Sequence, residues 1–357
     1  MLWGLLAILL TLILVVGIHE AGHALAARVF SVKIQRIFIG FGKPLMRWRS
    51  QSGIEWGWGI WPLGGYVLLL NTRIQPVPEE QWPYCFDKKP IWIRCVILVS
   101  GALANLLCSI LAFSLMFTLG FRQVPPIVQE VAPNSIAAQA GLQSGDVVLQ
   151  FDGHSVSSWQ EAGMAIIMSL GQKEVGISVK DKRGSMRYAK MDLSSWRYLP
   201  QNRYLLTSLG IKPLPAKWAG YEFRRENPGL AILHALKKVW QLLVFFLVMI
   251  KLLLTGVLPF ALLLGPIGLL SISAQSFLQG LAVFLNFIGT LGLAVAVINL
   301  FPIPGLDGGS IVYALIEKIR GKPVSKEMEI LLQQLFAIVF VIVMIQLLLN
   351  DAKRYFQ

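Results

Sequence analysis

The composition of this chain excludes an ordinary soluble enzyme. Of its 357 residues, 55% are hydrophobic and only 14% are charged, and the mean hydropathy is +0.63. Such values are typical of a protein that crosses a membrane several times. The formal net charge of +13 would suggest nucleic acid in a soluble protein, but no basic patch here is interleaved with aromatic residues. We therefore predict no nucleic-acid partner and assign the positive charge to cytoplasmic loops beside the lipid bilayer.

The first apolar segment, Leu2 to Val29, is predicted to be a retained membrane helix, because it lacks the basic start and the cleavage site of a signal peptide. It contains the pentapeptide His19-Glu20-Ala21-Gly22-His23. On a helix, the two histidines share one face and can bind one metal ion, and Glu20 can activate water as a general base. Such a pair favours zinc, which needs a third protein ligand. A chance match on a membrane helix is the alternative.

The region before the second apolar segment is predicted to contain β-structure. From Ile54 to Val67, the bulky residues Trp56, Trp58 and Ile60 alternate with Gly57 and Gly59, and this period of two is typical of a strand. Between two membrane helices, such a segment could re-enter the edge of the bilayer if protein or a cavity covers its polar backbone. An interfacial belt of aromatic side chains is the alternative.

A second membrane span is predicted from Ile91 to Leu119. Its segment Gly101-Ala-Leu-Ala-Asn105 places small residues where a neighbouring helix can approach closely. The amide of Asn105 would lie in hydrocarbon and therefore needs a polar partner.

From Arg122 to about Pro215 the composition becomes that of a soluble domain, with short β-type segments separated by turn signals such as Asp152-Gly153. The run from Ala132 to Gly153 resembles a PDZ domain of the protease-associated type. Domains of this kind bind an extended peptide by strand addition. We predict one PDZ domain of mixed α/β, β-sandwich-like structure, with a peptide or a substrate ectodomain as its ligand.

Three further apolar segments follow, and one of them ends in a candidate metal ligand. They run from Leu230 to Leu264, from Phe277 to Leu300 and from Ile330 to Leu349. Asp307 lies in the Pro- and Gly-rich turn after the second of these, where a carboxylate is costly unless it binds something. His234 is the other candidate, but it lies beside Lys237 and Lys238 and is interpreted as interfacial.

Taken together, these motifs resemble those of the site-2 protease family of intramembrane zinc metalloproteases, and within it the bacterial regulator-of-sigma-E branch. His19 to His23 matches the HExxH of the family, and Asn299 to Gly308 matches its NxxPxPxLDG. Gly101 to Asn105 matches a small-xxx-Asn element, and the Trp/Gly segment matches a re-entrant β-hairpin. The order of these elements agrees over nearly the whole chain.

The resemblance implies one zinc ion per chain, held by His19, His23 and Asp307, with Glu20 as the catalytic base. It implies substrates that are single-span membrane proteins already shortened by another protease, such as anti-sigma factors or signal-peptide remnants. The segment Trp56–Val67 is predicted to hold the substrate as an added strand, which would replace the hydrogen bonds that a helix loses on unwinding. The candidate substrate-binding residues are Asn299, Asn105, Trp56, Gly57, Trp58, Gly59 and Ile60.

The implied fold is a polytopic α-helical membrane protein with four spans, a re-entrant β-hairpin and one inserted PDZ domain. Residues 1–121 and 277–357 would form the two halves of the membrane protease core, 122–215 the PDZ domain, and 216–276 a linker and a peripheral amphipathic helix. A full crossing by residues 230–254 would put Asp307 across the membrane from the two histidines. The run is therefore predicted to lie at the interface, as its lysines favour.

The expected location is a bacterial inner membrane. Residues 28–49 carry six Lys or Arg and the segment after Asp307 carries four, which predicts an active site toward the cytoplasm and an extracytoplasmic PDZ domain. Two departures from the family stand out. The best-known member has two tandem PDZ domains where this chain has room for one, and Ser310 replaces the usual histidine after Asp-Gly-Gly.

Two other functions compete with a protease. A proteolytically inactive PDZ adaptor is disfavoured by the intact residues His19, Glu20, His23 and Asp307. A zinc transporter would not need Glu20 beside the histidines or a strand to hold peptide. Zinc content together with cleavage of a membrane-spanning substrate separates the three.

Overall fold

The computed structural model describes residues 2–197 and 205–356, and it divides into two units. Unit one comprises Met1–Met116, Pro228–Leu243 and Leu264–Gln357, and unit two comprises Phe117–Asn227 and Val244–Leu263.

Before unit two, the described residues form three α-helices, one two-stranded sheet and two short 3-10 helices (Glu79–Tyr84 and Phe86–Lys88). A π-helical turn, Ile13–Gly17, lies between the first two α-helices. The elements are α1 (Leu2–Leu12), α2 (Ile18–Val29), β1 (Ile34–Arg49), β2 (Glu55–Leu69) and α3 (Ile91–Leu119). The predicted second span therefore coincides with α3.

Strands β1 and β2 are long and bent, and they pair in antiparallel fashion with repeated register shifts. Residues 55–58 of β2 face residues 36–39 of β1 and also face residues 46–49, whereas residues 65–69 pair only with residues 34–39. Residues 55–58 therefore have partners on both sides, and residues 65–69 form an edge of the sheet.

Unit two is built from short strands around an apolar core. Its elements are β3 (Phe121–Gln123), β4 (Val128–Val131), α4 (Ile136–Gln139), β5 (Val147–Phe151), β6 (His154–Ser155), α5 (Trp159–Met168), β7 (Val175–Lys180), β8 (Met186–Met191), α6 (Leu205–Ser208), β9 (Ile211–Pro213), α7 (Ala216–Ala219) and β10 (Glu222–Arg224). One sheet has the order β6-β5-β7-β8, while β4 pairs with β9 and β3 with β10.

The core of unit two includes Phe151, Ile166 and Ile177. Ser158 and Glu161 fix the start of α5 by a reciprocal capping box, in which Ser158 Oγ accepts from the Glu161 amide and the Glu161 carboxylate accepts from the amide of Ser157. The β-rich domain predicted from the sequence is thus present, although residues 198–204 of its predicted range lie outside the described residues.

The remaining elements are all helical: α8 (Pro228–Leu254), α9 (Pro266–Leu278), α10 (Leu281–Leu300), α11 (Asp307–Arg320) and α12 (Lys326–Phe356). The second half of α8 belongs to unit two, where Leu252 and the following Leu258 are buried in the core.

Five segments of the described residues are long and apolar enough to cross a membrane: Trp3–Val29, Ile91–Leu119, Phe260–Leu278, Leu281–Leu300 and Lys326–Arg354. Four of them match the predicted spans, and α8 is not among them. The additional segment contains α9, whose 13 residues are about 20 Å long, less than the roughly 30 Å of a hydrocarbon core. The chain is a multi-pass membrane protein, and its four-span topology stays a prediction.

Helix α9 was not foreseen by the sequence analysis, which treated residues 216–276 as a linker and one peripheral helix. It begins at Pro266 and is capped by a residue of another helix: the two carboxylate oxygens of the buried Asp351 accept from the amides of Gly265 (2.9 Å) and Gly268 (3.0 Å). A carboxylate suits this position, since the first amides of a helix lack partners within it. Helix α9 also meets α1, where the hydroxyls of Thr11 and Ser273 lie 2.8 Å apart.

Candidate metal centre

Helix α2 presents His19 and His23 on one buried face. Their exposed fractions are 6% and 8%, and their Nε2 atoms lie 3.2 Å apart. The π-helical turn Ile13–Gly17 immediately precedes the pair, and turns of this type are frequent at functional sites. The four-residue spacing thus produces the shared face that the sequence predicts.

Asp307 reaches the same point from the other end of the chain. It is the first residue of α11, where the helix dipole favours a negative side chain. Its Oδ2 lies 3.1 Å from His19 Nε2 and 3.2 Å from His23 Nε2. Burial alone would raise the pKa of Asp307, but its contacts with the two histidines outweigh this effect and place the pKa of the carboxyl below its usual range.

The three atoms form a nearly equilateral triangle that fits one metal ion. In a tetrahedral zinc shell with zinc–nitrogen bonds of about 2.0–2.1 Å, two ligand atoms lie roughly 3.3–3.4 Å apart, which is close to the observed distances. Among the residues that the structure describes, this is the only group of three His, Cys, Asp or Glu side chains so placed. His234 lies on α8 and is not part of it.

A backbone carbonyl fixes the orientation of His23. Its Nδ1 lies 2.7 Å from the carbonyl oxygen of Ile97 on α3. A carbonyl can only accept, so Nδ1 carries the proton and the lone pair of Nε2 is directed at the other two ligand atoms. Such an outer hydrogen bond is the usual means of fixing the tautomer of a metal-binding histidine.

Asn105 lies behind His19 and is completely buried. Its side-chain amide faces His19 Nδ1, with Nδ2 3.5 Å away, and its Oδ1 has no hydrogen-bond partner among the described residues. Asn105 was expected to need a polar partner within the membrane. The ring of His19, a candidate metal ligand, is that partner.

Glu20 lies next to the triangle and to the edge of the sheet. It is 6% exposed, and its charge interacts with those of His23, His19 and Asp307. The backbone amide of Val67 is close to its carboxylate and stabilises the charged form. A Cβ atom on Gly65 would lie 3.0 Å from Glu20 Cγ, so the strand passes close to this side chain.

Two glycines allow α2 and α3 to approach at the metal centre. A Cβ atom on Gly22 would lie 2.4 Å from the backbone oxygen of Ser100, and one on Gly101 would lie 2.3 Å from His23 Nε2. Any larger residue would therefore displace either the helix or the ligand. The small residues of α3 are evident from the sequence, but the close approach of Gly101 to the rings of both histidines is not.

The candidate substrate-binding residues of β2 are not on an open edge. Trp56 pairs with both Ile37 and Trp48, and Gly57 and Trp58 are likewise paired on both sides. Gly59 faces Pro44, and Ile60 is half-exposed. Strand addition at residues 56–58 would require existing pairs to open, whereas residues 65–69 have a strand partner on one side only among the described strands.

Asn299 lies near the end of α10, and its amide donates to the carbonyl of Val295 one turn earlier. It is partly exposed and does not belong to the triangle.

The histidine of unit two, His154, is exposed and lies 2.9 Å from the carbonyl oxygen of Asp152 in its own turn.

Comparison with known proteins adds a family and several relatives. The model of peptidase family M50 matches residues 7–344. The chain is 28% identical over 445 residues to the regulator of sigma-E protease of Salmonella typhimurium (strain 14028s / SGSC 2262), with 99% of each chain covered. It is 28% identical over 448 residues to that of Escherichia coli (strain K12), and 28% identical over 438 residues to a putative zinc metalloprotease of Pasteurella multocida (strain Pm70), again with 99% of each chain covered. These alignments are longer than this chain, so the relatives contain sequence with no counterpart here.

Proposed function

The chain belongs to peptidase family M50, the site-2 protease family of zinc metalloproteases, and on that premise we propose that His19, His23 and Asp307 hold one zinc ion per chain and that Glu20 is the general base. The observation that carries this proposal is the triangle of two Nε2 atoms and one Oδ2 atom at 3.1–3.2 Å. Residues 288 positions apart build it inside the membrane unit, where unpaired polar groups are costly.

Zinc, when bound, acts as a Lewis acid that polarises the scissile carbonyl and acidifies water. Glu20 takes the proton of the attacking water and passes it to the leaving amide nitrogen. The amide of Val67 holds the Glu20 carboxylate in place between these two transfers. The buried surroundings of His19 and Glu20 exclude other water from the reaction.

Asn105 has a positioning role in this proposal rather than contact with substrate. When Nε2 of His19 binds a metal, Nδ1 must carry the proton and needs an acceptor. A half-turn of the Asn105 amide presents its unpartnered Oδ1 to that proton, and both groups are then satisfied. Its complete burial leaves no surface for a substrate.

The substrate would bind along residues 65–69 of β2. A membrane helix keeps its amides in internal hydrogen bonds, so a scissile segment must unwind before hydrolysis. Among the described strands, residues 65–69 have a strand partner on one side only, and they approach the general base at Val67 and Gly65. A substrate strand added beside this edge would recover lost hydrogen bonds next to Glu20.

Unit two is proposed to be a PDZ domain that binds an extended peptide. A groove of about 500 Å³ is bounded by α5, α6 and β9, and apolar residues such as Met164, Ile167 and Leu206 line it. Strand β9 pairs only with β4 among the described strands, so its other edge can accept a peptide.

The proposed substrates are single-span membrane proteins that another protease has already shortened, such as anti-sigma factors or signal-peptide remnants. The name of the Salmonella relative, a regulator of sigma-E protease, supports the first class. The proposed location is a bacterial inner membrane, with the active site toward the cytoplasm and the PDZ domain outside, because the basic segments 28–49 and 318–326 belong to unit one.

A direct test uses purified protein and a generic single-span substrate. The wild type is expected to contain one zinc ion per chain and to cleave the substrate within its apolar segment. Glu20→Gln should keep the zinc and lose cleavage. A wild type that binds zinc but cleaves nothing favours the transporter, and one that neither contains zinc nor cleaves the substrate favours the adaptor.

A further inference from the structure

Unit one contains a second polar cavity that shares no residue with the metal centre. It has a volume of about 460 Å³, within the range of roughly 300–1,000 Å³ that is usual for ligand pockets. It lies where the segment before α3, the end of α11 and the start of α12 meet. Its charged lining residues are Arg73, Asp87, Lys88, Arg94, Glu317 and Lys326.

The two acidic residues of this cavity are already engaged. Asp87 accepts from the amide and the hydroxyl of Thr72. Glu317 accepts from Arg94 Nη1 at 2.9 Å. These carboxylates therefore offer little to an incoming cation.

The cavity is lined by more cationic than acidic side chains. Arg94 is 7% exposed, and its Nε has no hydrogen-bond partner among the described residues. Lys326 and Lys88 are exposed at the rim, where Lys88 lies over the ring of Trp82. Arg73 donates to Glu329 and to the carbonyl of Val324, which holds the wall in place. The four cationic side chains around the cavity outnumber its two carboxylates, and this excess of positive charge suits an anion with several oxygens.

The position of the cavity in the chain identifies the source of such an anion. Helix α3 begins at Ile91 and α12 begins at Lys326, and both are candidate membrane spans. The cavity therefore lies at the level where two apolar segments start, which is the depth of lipid headgroups. Basic pockets between membrane helices on the cytoplasmic side are suited to anionic headgroups.

We propose that this cavity binds the phosphate of an anionic phospholipid headgroup. The lipid would join the loop before α3 to α11 and α12. Helix α11 carries Glu317 of the cavity and Asp307 of the metal centre ten residues apart, or about 15 Å along the helix. A headgroup in the cavity would thus stabilise the helix that supplies the third metal ligand.

The test measures binding rather than proteolysis, so its outcome does not depend on the proposed activity. The full-length protein is delipidated in a neutral detergent, and its thermal unfolding is followed during titration with phosphatidylglycerol, phosphatidylcholine or inorganic phosphate. Two double variants are compared, each losing two positive charges. Lys88→Gln/Lys326→Gln changes the cavity, and Lys318→Gln/Lys322→Gln changes neighbouring lysines that do not line it.

Phosphatidylglycerol is expected to raise the Tm of the wild type and of the Lys318/Lys322 variant in a saturable manner. The Lys88/Lys326 variant should need on the order of tenfold more of this lipid for the same shift. Phosphatidylcholine and inorganic phosphate should have little effect. An equal response of the two variants would overturn the site, an equal effect of phosphatidylcholine would overturn the headgroup charge, and saturation by phosphate alone would overturn the lipid.

Discussion

The metal centre differs from the two strand edges in how far contacts within the protein fix its geometry. The two strand edges are residues 65–69 of β2 and strand β9. At the metal centre each ring has a fixed partner, and Gly22 and Gly101 leave no space for another atom. At each strand edge the described strands provide a partner on one side only. In the proposed function, buried side chains therefore hold the chemistry that is the same for every substrate, whereas the backbone of the strand edges recognises varied sequences.

The largest effect is expected at the imidazoles. His19→Ala or His23→Ala should lose zinc and reduce cleavage below detection, because each removes one of three ligand atoms. His234→Ala is the matched control and should keep both properties. Zinc content measured by elemental analysis and cleavage of a single-span substrate check this. Zinc bound at full occupancy without His19 would show that the ligand set is different.

Packing against the ligands is expected to matter nearly as much. Gly101→Ala places a methyl group 2.3 Å from His23 Nε2, so the ring must move and zinc affinity should fall at least tenfold. Leu103→Ala removes a half-exposed side chain from the same helix and serves as the control. A competition titration with a zinc chelator measures both. Equal zinc affinity in the two variants would mean that the packing of α3 against His23 does not affect metal binding.

Asn105→Ala should lower zinc affinity about 10–100-fold, the usual effect of losing an outer-shell partner of a metal ligand. The same chelator titration measures it. Asn299→Ala is the matched control, since its amide bonds to its own helix, and its zinc affinity should not change. If instead Asn105→Ala bound zinc normally and raised only the KM for substrate, Asn105 would be a substrate contact.

At the strand edge, Val67→Pro removes the amide that holds Glu20. Cleavage is expected to fall about 10²-fold, the lower end of the usual contribution of a general base, while zinc stays bound. Val67→Ala keeps the amide and should retain most activity. Steady-state cleavage rates and zinc content distinguish these outcomes, and similar rates for the two variants would remove Val67 from the proposal.

The smallest effect is expected in the groove of unit two. Met164→Arg places a charge among apolar lining residues and should weaken peptide binding severalfold, as measured by fluorescence anisotropy with a labelled peptide. Cleavage of a short substrate without an ectodomain should not change. Tyr188→Arg, on the exposed face of β8, is the control. A loss of binding in both variants would point to charge rather than the groove.

The sequence predicts side chains at fixed spacing better than it predicts pairing between distant segments. His19 and His23 meet because four residues make one helical turn, and α3 has the bounds that its apolar run indicates. Placing Asp307 beside them required the family resemblance as well. Its position 288 residues away cannot be derived from local periodicity.

The edge of the sheet could not be predicted, because it depends on register. Alternation from Trp56 to Ile60 indicates a strand, but it does not show that residues 36–39 and 46–49 would both pair with that strand. Helix α9 had local signals, with Pro266 at its start and Gly280 after its end. Its cap, Asp351, lies on α12, so no local pattern relates the two.

The most direct test of the central claim compares Glu20→Gln with Asp307→Ala in the same preparation. The account predicts that Glu20→Gln retains one zinc ion per chain and loses cleavage by at least 10²-fold, while Asp307→Ala loses both zinc and cleavage. Full zinc occupancy in Asp307→Ala, or substantial cleavage by Glu20→Gln, would contradict it.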